Sequence, residues 1–350
     1  MDDLTLQVGG LALSGWTALR VTRGIERLPS EFDVEMTERW PGEFHTVSVK
    51  PGDFCQVRLG GDLVLTGYVD RWRPSLEADR HSIRVTGRGK CEDLVDCAAE
   101  WPNRQFANMD VLAIARALAR PYANNITVTA LADVGDPIPQ FNFNVGETAW
   151  SVIERVCRYR GLLAYDDPSG NLILSRVASV VAASGLSEGV NVERAEGMFS
   201  MDERFSEYDA YTLTVQPLRE VGPLAPRAVA TDSGVPRHRR HEIISEVAAM
   251  LDMPELRAKW EAARRLGRSM MIRATVDSWR DRAGALWQPN TLIPVHLPSM
   301  RVFKETWALG EVTYRRDMDG THADLVVMPL QAFLPEPFNL YPILQDVSPP

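Results

Sequence analysis

The chain has 350 residues, of which 45% are hydrophobic and 24% are charged, and its formal net charge is −9. This composition is typical of a soluble globular protein with two or three domains, and the acidic balance argues against general affinity for a phosphate backbone. No stretch approaches 18 apolar residues, so no membrane span is expected, and Met1-Asp2-Asp3 lacks the basic flank of a secretory signal.

Alternating apolar and polar residues dominate the first hundred positions, which is typical of β-strands. Leu4–Leu13 breaks at Gly9-Gly10 and is predicted to be an opening hairpin. Val47–Cys97 carries the clearest alternation, and it is interrupted by Gly60-Gly61, a dipeptide that suits a two-residue hairpin turn. We therefore predict a first small β-barrel over residues 1–100.

The pattern changes after residue 100. Asn108–Arg120 and Glu147–Arg160 carry apolar residues at helical spacing, and each is followed by a proline or glycine that can end a helix. Short extended runs surround these helices, and Asp166–Gly170 is rich in turn residues. We predict an α+β module over residues 101–182, inserted between two β-regions.

The last third of the chain returns to strand-like alternation. We predict a second β-barrel from residues 183–216 and 270–335, interrupted by an insertion over 217–269. That insertion contains a proline-rich loop followed by a helix over Pro254–Arg268. The remaining residues, 336–350, are predicted to form an extended tail.

A spacing of prolines and apolar residues recurs near the C-terminus. Three positions match at identical spacing, namely Pro51, Val57 and Leu59 against Pro289, Val295 and Leu297. The next strand has a central glycine in both copies, Gly67 and Gly310, and a third strand follows each. The repeat predicts that the two barrels are copies of one unit.

No stretch of the sequence specifies a catalytic or metal site. His241–Ser245 starts like a zinc-protease helix but lacks the second histidine one turn later, and Gly87–Lys90 lacks the spacing of a phosphate-binding loop. Asp166-Asp167 and Asp317–Gly320 resemble fragments of calcium loops without the later ligands. We therefore predict no cofactor, no metal and no enzymatic activity.

Two further groups of residues have plain structural interpretations. The basic run His238–His241 is expected to be a solvated loop or a contact to an acidic subunit, with nucleic-acid contact as the alternative. The cysteines have no metal-type spacing, so reduced and mostly buried thiols in a protein made in a cytoplasm are expected. These cysteines are Cys55, Cys91, Cys97 and Cys157.

The order of these features resembles the baseplate hub proteins of contractile-tailed, Mu-like bacteriophages. The residues that carry the resemblance in the first half are Pro51-Gly52-Asp53, Leu65–Asp70, Val85–Arg88 and Asp93–Asp96. The pattern resumes at Trp279–Asp281, Gly284–Asn290 and Gly320–Pro329. A more distant likeness is to the N-terminal hub part of VgrG spikes of type VI secretion, although no spike repeat follows residue 335.

The resemblance implies a structural protein with a defined place in a virion. A homotrimer with two similar barrels per chain would form a ring with pseudo-sixfold symmetry, joining a trimeric tail spike to a hexameric tail tube or to tube-initiating baseplate proteins. DNA would pass through the channel without specific binding. The protein would be made in the bacterial host cytoplasm and reside in the tail baseplate.

Three alternatives to a structural hub remain open at this stage. One is a cell-wall-degrading tail enzyme, a peptidoglycan hydrolase, which would require carboxylates that converge in a cleft. Another is a spike component of type VI secretion. The last is a carbohydrate- or nucleic-acid-binding module, with which the nine tryptophans are compatible.

Overall fold

The computed structural model describes residues 3–37, 49–77, 81–122, 126–177, 180–212, 227–245 and 253–336. The fold is mainly β with an α+β insertion, as the sequence predicts. The proline-rich loop is predicted over Pro217–Pro236; its residues 217–226 and the tail 337–350 lie outside the described residues, so the predictions made for them stay predictions, whereas Arg227–Thr231 is a strand and not loop.

The first part of the chain consists of strands whose side chains alternate between a core and an exposed face. In the strand Phe54–Leu59, for example, Cys55 and Val57 are fully buried, as the alternation predicts. The elements are β1 (Leu4–Val8), β2 (Leu11–Leu13), β3 (Ala18–Gly24), β4 (Glu31–Thr37), β5 (Phe54–Leu59), β6 (Asp62–Leu76), β7 (His81–Gly89) and the short helix α1 (Glu92–Asp96).

The inserted module has its own hydrophobic core. Its helices begin where side chains cap them: the Asp110 carboxylate accepts the Ala113 amide at 2.7 Å, and Thr148 Oγ1 accepts the Ser151 amide at 3.1 Å. The elements are β8 (Gln105–Met109), α2 (Val111–Ala119), β9 (Val128–Ala130), β10 (Ile138–Asn142), α3 (Ala149–Tyr159), β11 (Leu163–Asp166) and β12 (Leu172–Ser175). Both predicted helices are confirmed.

The last part of the chain is again mostly strands. The elements are β13 (Leu186–Ser187), β14 (Val192–Phe199), β15 (Glu207–Thr212), β16 (Arg227–Thr231), β17 (Arg240–Ser245), α4 (Met253–Arg268), β18 (Met270–Val276), β19 (Leu292–Leu297), β20 (Val302–Asp317) and β21 (Gly320–Met328). β15 pairs with β16 and β17 in a separate small sheet that packs on α4, rather than with the strands on either side of the insertion. The predicted helix over Pro254–Arg268 is confirmed as α4.

Thirteen strands from both ends of the chain form one sheet. Its hydrogen-bonded order is β14-β18-β21-β20-β3-β4-β7-β6-β5-β1-β2, with β19 also paired to β20 and β13 to β19. The prediction of two small β-barrels is therefore wrong, since no sheet closes into a barrel in the described part of the chain, although the predicted mainly-β class is confirmed. The reason is the length of β20, whose 16 residues pair first with β19 and then with β3.

The predicted duplication is visible in the strand order of this sheet. A first unit, β3-β4-β7-β6-β5, and a second unit, β14-β18-β21-β20-β19, have the same antiparallel neighbours in the same chain order. Each long strand carries a bulge: one residue is skipped in the pairing between Val69 and Arg71, and one between Leu309 and Glu311. The two units therefore share the pairing register of their long strands as well as their strand order.

Hydrogen bonds at the start of each unit's first hairpin fix the correspondence. Gly52 N donates to Val69 O at 2.7 Å, and Asn290 N donates to Leu309 O at 2.9 Å. Both Gly52 and Asn290 are left-handed, with φ of 90° and 62°. The matched prolines and apolar residues of the sequence repeat are thus equivalent, but Gly310 is not the counterpart of Gly67. Gly310 lies at the bulge, where the first unit has Asp70.

Gly67 has a different reason to be glycine. A Cβ at Gly67 would lie 1.8 Å from the carbonyl oxygen of Arg88 on β7. The two long strands approach each other closely at this position, so only a residue without a side chain fits. The core that the two units share lies on one face of the sheet, with Phe32, Trp279 and Tyr314 among its most deeply buried residues.

Candidate functional surface

The residues that sequence analysis considered as fragments of active sites have structural partners. His241 lies on a strand, stacks on Phe205 at 4.7 Å between ring centroids, and has a pKa lowered by burial. In the neighbouring basic run, Arg240 Nε donates to Asp209 Oδ2 at 3.1 Å and Arg239 Nη2 donates to the Asp202 carbonyl at 2.6 Å. Arg239, Arg240 and His241 are therefore paired within the chain, and His238 is exposed.

Among the described residues, no group of three or more His, Cys, Asp or Glu side chains could hold a metal ion. No described helix is long and apolar enough to cross a membrane. The cysteines are free; Cys55, Cys91 and Cys157 are buried and Cys97 is exposed.

The turn Asp166–Gly170 joins the inserted module to the first unit. Asp166 is 3% exposed, and its carboxylate accepts the Ser30 amide at 2.9 Å and the Ser30 hydroxyl at 2.7 Å. Burial raises the pKa of Asp166, and the two bonds from Ser30 oppose that rise. Thr66 Oγ1 also donates to the Pro168 carbonyl at 3.0 Å. The predicted turn acid is therefore a docking residue between modules.

The face of the sheet opposite the core carries charged side chains that are largely paired, and we call it the charged face. In the first unit, Arg84 Nε donates to Asp33 Oδ1 at 2.7 Å, and Arg88 contacts Asp70 at 2.6 Å and Asp96 at 2.7 Å. These partners come from four elements, β4, β6, β7 and α1. The alternation of strand residues places them together on the side that the core does not use.

The charged face continues across the second unit. Arg315 Nε donates to Asp324 at 2.9 Å, and Thr275 Oγ1 donates to the same carboxylate at 2.7 Å. At the boundary between the units, Arg27 contacts Glu311 at 3.2 Å. Ion pairs therefore place both signs of charge in each unit and at their boundary, while Ala308 and Met328 on the same face belong to a small apolar cluster with Phe333.

One carboxylate on this face is held in an unusual state. Burial, and secondarily the nearby Asp70 carboxylate, raises the pKa of Glu92 to about 8, although Arg88 lies 3.3 Å away. The hydrogen bonds of Arg88 to Asp96 and Asp70 raise the pKa of the guanidinium and lower that of Asp96. Sequence spacing gives no sign of this cluster, because its members lie on different strands.

The two units meet at a strand pair that we call the internal junction. Residues 19–24 of β3 pair antiparallel with residues 311–316 of β20. The hydroxyls of Thr22 and Thr313 are 3.1 Å apart and buried. The equivalent edges at the far ends of the two units, β14 and the second half of β6, have no such partner among the described strands.

Family models match most of the chain in three segments. The model of the GpP-like Mu phage baseplate assembly protein, N-terminal domain, matches residues 3–89. The second domain of the gp44-like baseplate hub proteins matches residues 91–176, and the fourth domain of GpP matches residues 251–336.

Similar proteins cover nearly the full length. The baseplate hub protein gp44 of Escherichia phage Mu is 31% identical over 95% of this chain and 89% of its own. The 43 kDa tail protein of prophage MuSo2 from Shewanella oneidensis is 33% identical, with a TM-score of 0.85, over 95% of this chain and 99% of that one. A type VI secretion component of E. coli, c3393, shares the fold at 13% identity, with a TM-score of 0.59 over 97% and 79% of the two chains.

Proposed function

This chain belongs to the baseplate hub proteins of Mu-like phages, and from that premise we propose that three copies form the central ring of a tail baseplate. The observation that carries the proposal is the duplication: each chain supplies two equivalent five-stranded units joined in one sheet. Three such chains present six equivalent units around one axis. The ring can then match a hexameric tail tube on one side and a trimeric tail spike on the other.

In this ring the charged face of the sheet lines the channel for DNA. Ion pairs such as Arg84–Asp33 and Arg315–Asp324 leave both signs of charge along the face. A phosphate backbone passing over such a surface meets alternating attraction and repulsion and binds no fixed site. The net charge of −9 acts in the same direction. The role is structural, and its place is the virion tail after synthesis in the host cytoplasm.

Light scattering coupled to gel filtration tests the ring. The expected mass is three times the 39.1 kDa of the chain, and electron microscopy should show rings with a central channel. A protein that stays monomeric at high concentration, alone and with its tail spike, would overturn the proposal. A gel-shift titration with duplex DNA should show no specific complex at physiological salt.

A spike component of type VI secretion is the second candidate, which the shared fold of the E. coli c3393 protein favours. Antibody labelling of particles from the source bacterium separates the two roles. Label at the tip of a phage tail supports the baseplate hub, and label only on a secretion apparatus supports the alternative. A peptidoglycan hydrolase would be detected as a fall in turbidity of purified cell walls, which is not expected.

A further inference from the structure

The internal junction shows how one unit of this fold pairs with the next. The junction joins the outer strand of the first unit, β3, to the half of β20 that lies beyond its bulge. On the core side, Val312 and Tyr314 are fully buried there. The free strands at the other ends of the units are the direct counterparts of these two: β14 corresponds to β3, and the second half of β6 corresponds to the second half of β20.

The two free edges expose apolar side chains that their counterparts bury. All six residues from Arg71 to Leu76 are exposed, with Trp72 at 37% and Leu76 at 82%. On β14, Met198 is 45% exposed and Phe199 is 50% exposed. Apart from one isolated bridge at Val192, β14 pairs only with β18 among the described strands, and the second half of β6 pairs only with β7. Unpaired edges with exposed aromatic residues are sites for strand addition.

We propose that β14 of one copy pairs antiparallel with residues 71–76 of β6 in a neighbouring copy and repeats the internal junction between molecules. This inference rests on the proposed ring and specifies the strands that close it. The contact is head-to-tail, because it joins two different edges, and it therefore propagates around a ring instead of ending in a twofold dimer.

The register of the contact follows from the duplication. In the first unit Val21 pairs with Phe32, which in turn pairs with Gly87. In the second unit Gly197 pairs with Ile272, which in turn pairs with Val327. Gly197 is therefore the counterpart of Val21. The bulges make Pro74 the counterpart of Tyr314. At the internal junction Val21 pairs with Tyr314, and Thr22 pairs with Thr313. The same register between copies predicts four pairs, each with the residue of the neighbouring copy named second: Pro74 with Gly197, Arg73 with Met198, Trp72 with Phe199, and Leu76 with Ala195.

The side chains fit this register. Trp72 and Phe199 meet on the core side, where an aromatic cross-strand pair stabilises a sheet. Arg73 lies diagonal to Glu196 on the charged face, within reach of an ion pair of opposite sign. Pro74 has no amide hydrogen and its Cδ points at the Gly197 backbone, so the two strands must separate locally here, as at a bulge, and this junction has one backbone donor fewer than the internal one.

Disulfide cross-linking tests the register directly. In a Cys97→Ser background, which removes the exposed thiol, Arg73→Cys and Met198→Cys are co-expressed on chains with different tags. The pair should form a disulfide between chains, while each variant alone should form none. Thr22→Cys with Thr313→Cys is the matched positive control within one chain, because those hydroxyls are 3.1 Å apart. Arg73→Cys with Arg194→Cys, four residues out of register, is the negative control.

Each outcome decides the question. Cross-linking of Arg73→Cys to Met198→Cys, with the negative control at background, supports the inference. Disulfides between two Arg73→Cys chains, or equal linking in the negative control, would overturn it. A trimer that forms without the link would refute the strand pairing but leave the proposed hub function intact. A persistent monomer would refute both.

Discussion

The contact between Ser30 and Asp166 gives the sharpest test of how the inserted module is held. Ser30→Ala removes the hydroxyl that donates to the buried Asp166 carboxylate at 2.7 Å and leaves the amide donor at 2.9 Å in place. A hydrogen bond to a charged group contributes about 1.5–3 kcal/mol net, so the free energy of unfolding should fall by about that amount at pH 7.5. Ser169→Ala, exposed in the same turn region, should change it by less than about 0.5 kcal/mol.

The loss should also depend on pH. Burial already raises the pKa of Asp166 above its unfolded value, and removing a donor to the charged form raises it further. The contribution of Asp166 to the free energy of unfolding is fully present at pH values below its pKa in the unfolded chain. That contribution is lost as the pH rises through its pKa in the folded protein. The deficit of Ser30→Ala should therefore be small at pH 4 and largest at neutral pH.

Urea unfolding followed by tryptophan fluorescence at the two pH values measures both effects. If the module unfolds in a separate transition, the midpoint of that transition is the quantity to compare. The reasoning is refuted if Ser30→Ala matches Ser169→Ala at pH 7.5, or if its deficit is the same at pH 4.

Three further predictions concern single residues. Gly67→Ala should lower the free energy of unfolding by about 1–3 kcal/mol or prevent folding, because its Cβ would lie 1.8 Å from a carbonyl oxygen of β7. A Cβ at Gly61 would have no atom within 4 Å, so the control Gly61→Ala should leave the thermal melting temperature unchanged. Glu92→Gln should raise the melting temperature at pH 9 and not at pH 5, because the carboxyl, with a pKa of about 8, ionises in between; equal effects at both pH values would contradict this. Trp72→Ala should weaken the association of chains about 30-fold in analytical ultracentrifugation, since 37% exposure of a side chain of about 250 Å² corresponds to about 2 kcal/mol. Leu131→Ala, 65% exposed in the inserted module, should leave association unchanged.

The strands and the duplication could be predicted because they depend on local patterns. Alternation at Cys55, Val57 and Leu59 is a consequence of strand geometry, and the same spacing near Val295 shows the copy. The correspondence of Gly310 with Gly67 failed because glycine has two different uses here. At Gly67 it admits a neighbouring strand, and at Gly310 it occupies a bulge under the ring of Phe333.

Partner choice at long range could not be predicted from the sequence. The alternation in β20 is the same whether its second half pairs with a strand of its own unit or with β3. The amino-acid pattern therefore does not distinguish one joined sheet from two barrels. Asp166 is a turn acid by composition, yet its hydrogen-bond partner, Ser30, lies 136 positions away. The ion pairs of the charged face likewise depend on which strands become neighbours.

Covalent linkage of the two units changes how an assembly of such chains would form. The Thr22–Thr313 contact is made when a single chain folds, at an effective concentration fixed by the polypeptide and independent of dilution. In a six-unit ring, three of the six contacts between units would be internal junctions, which form before any molecules meet. Only the three contacts between chains would depend on protein concentration. Expression level would then set how many rings assemble, and it would leave the geometry of each internal junction unchanged.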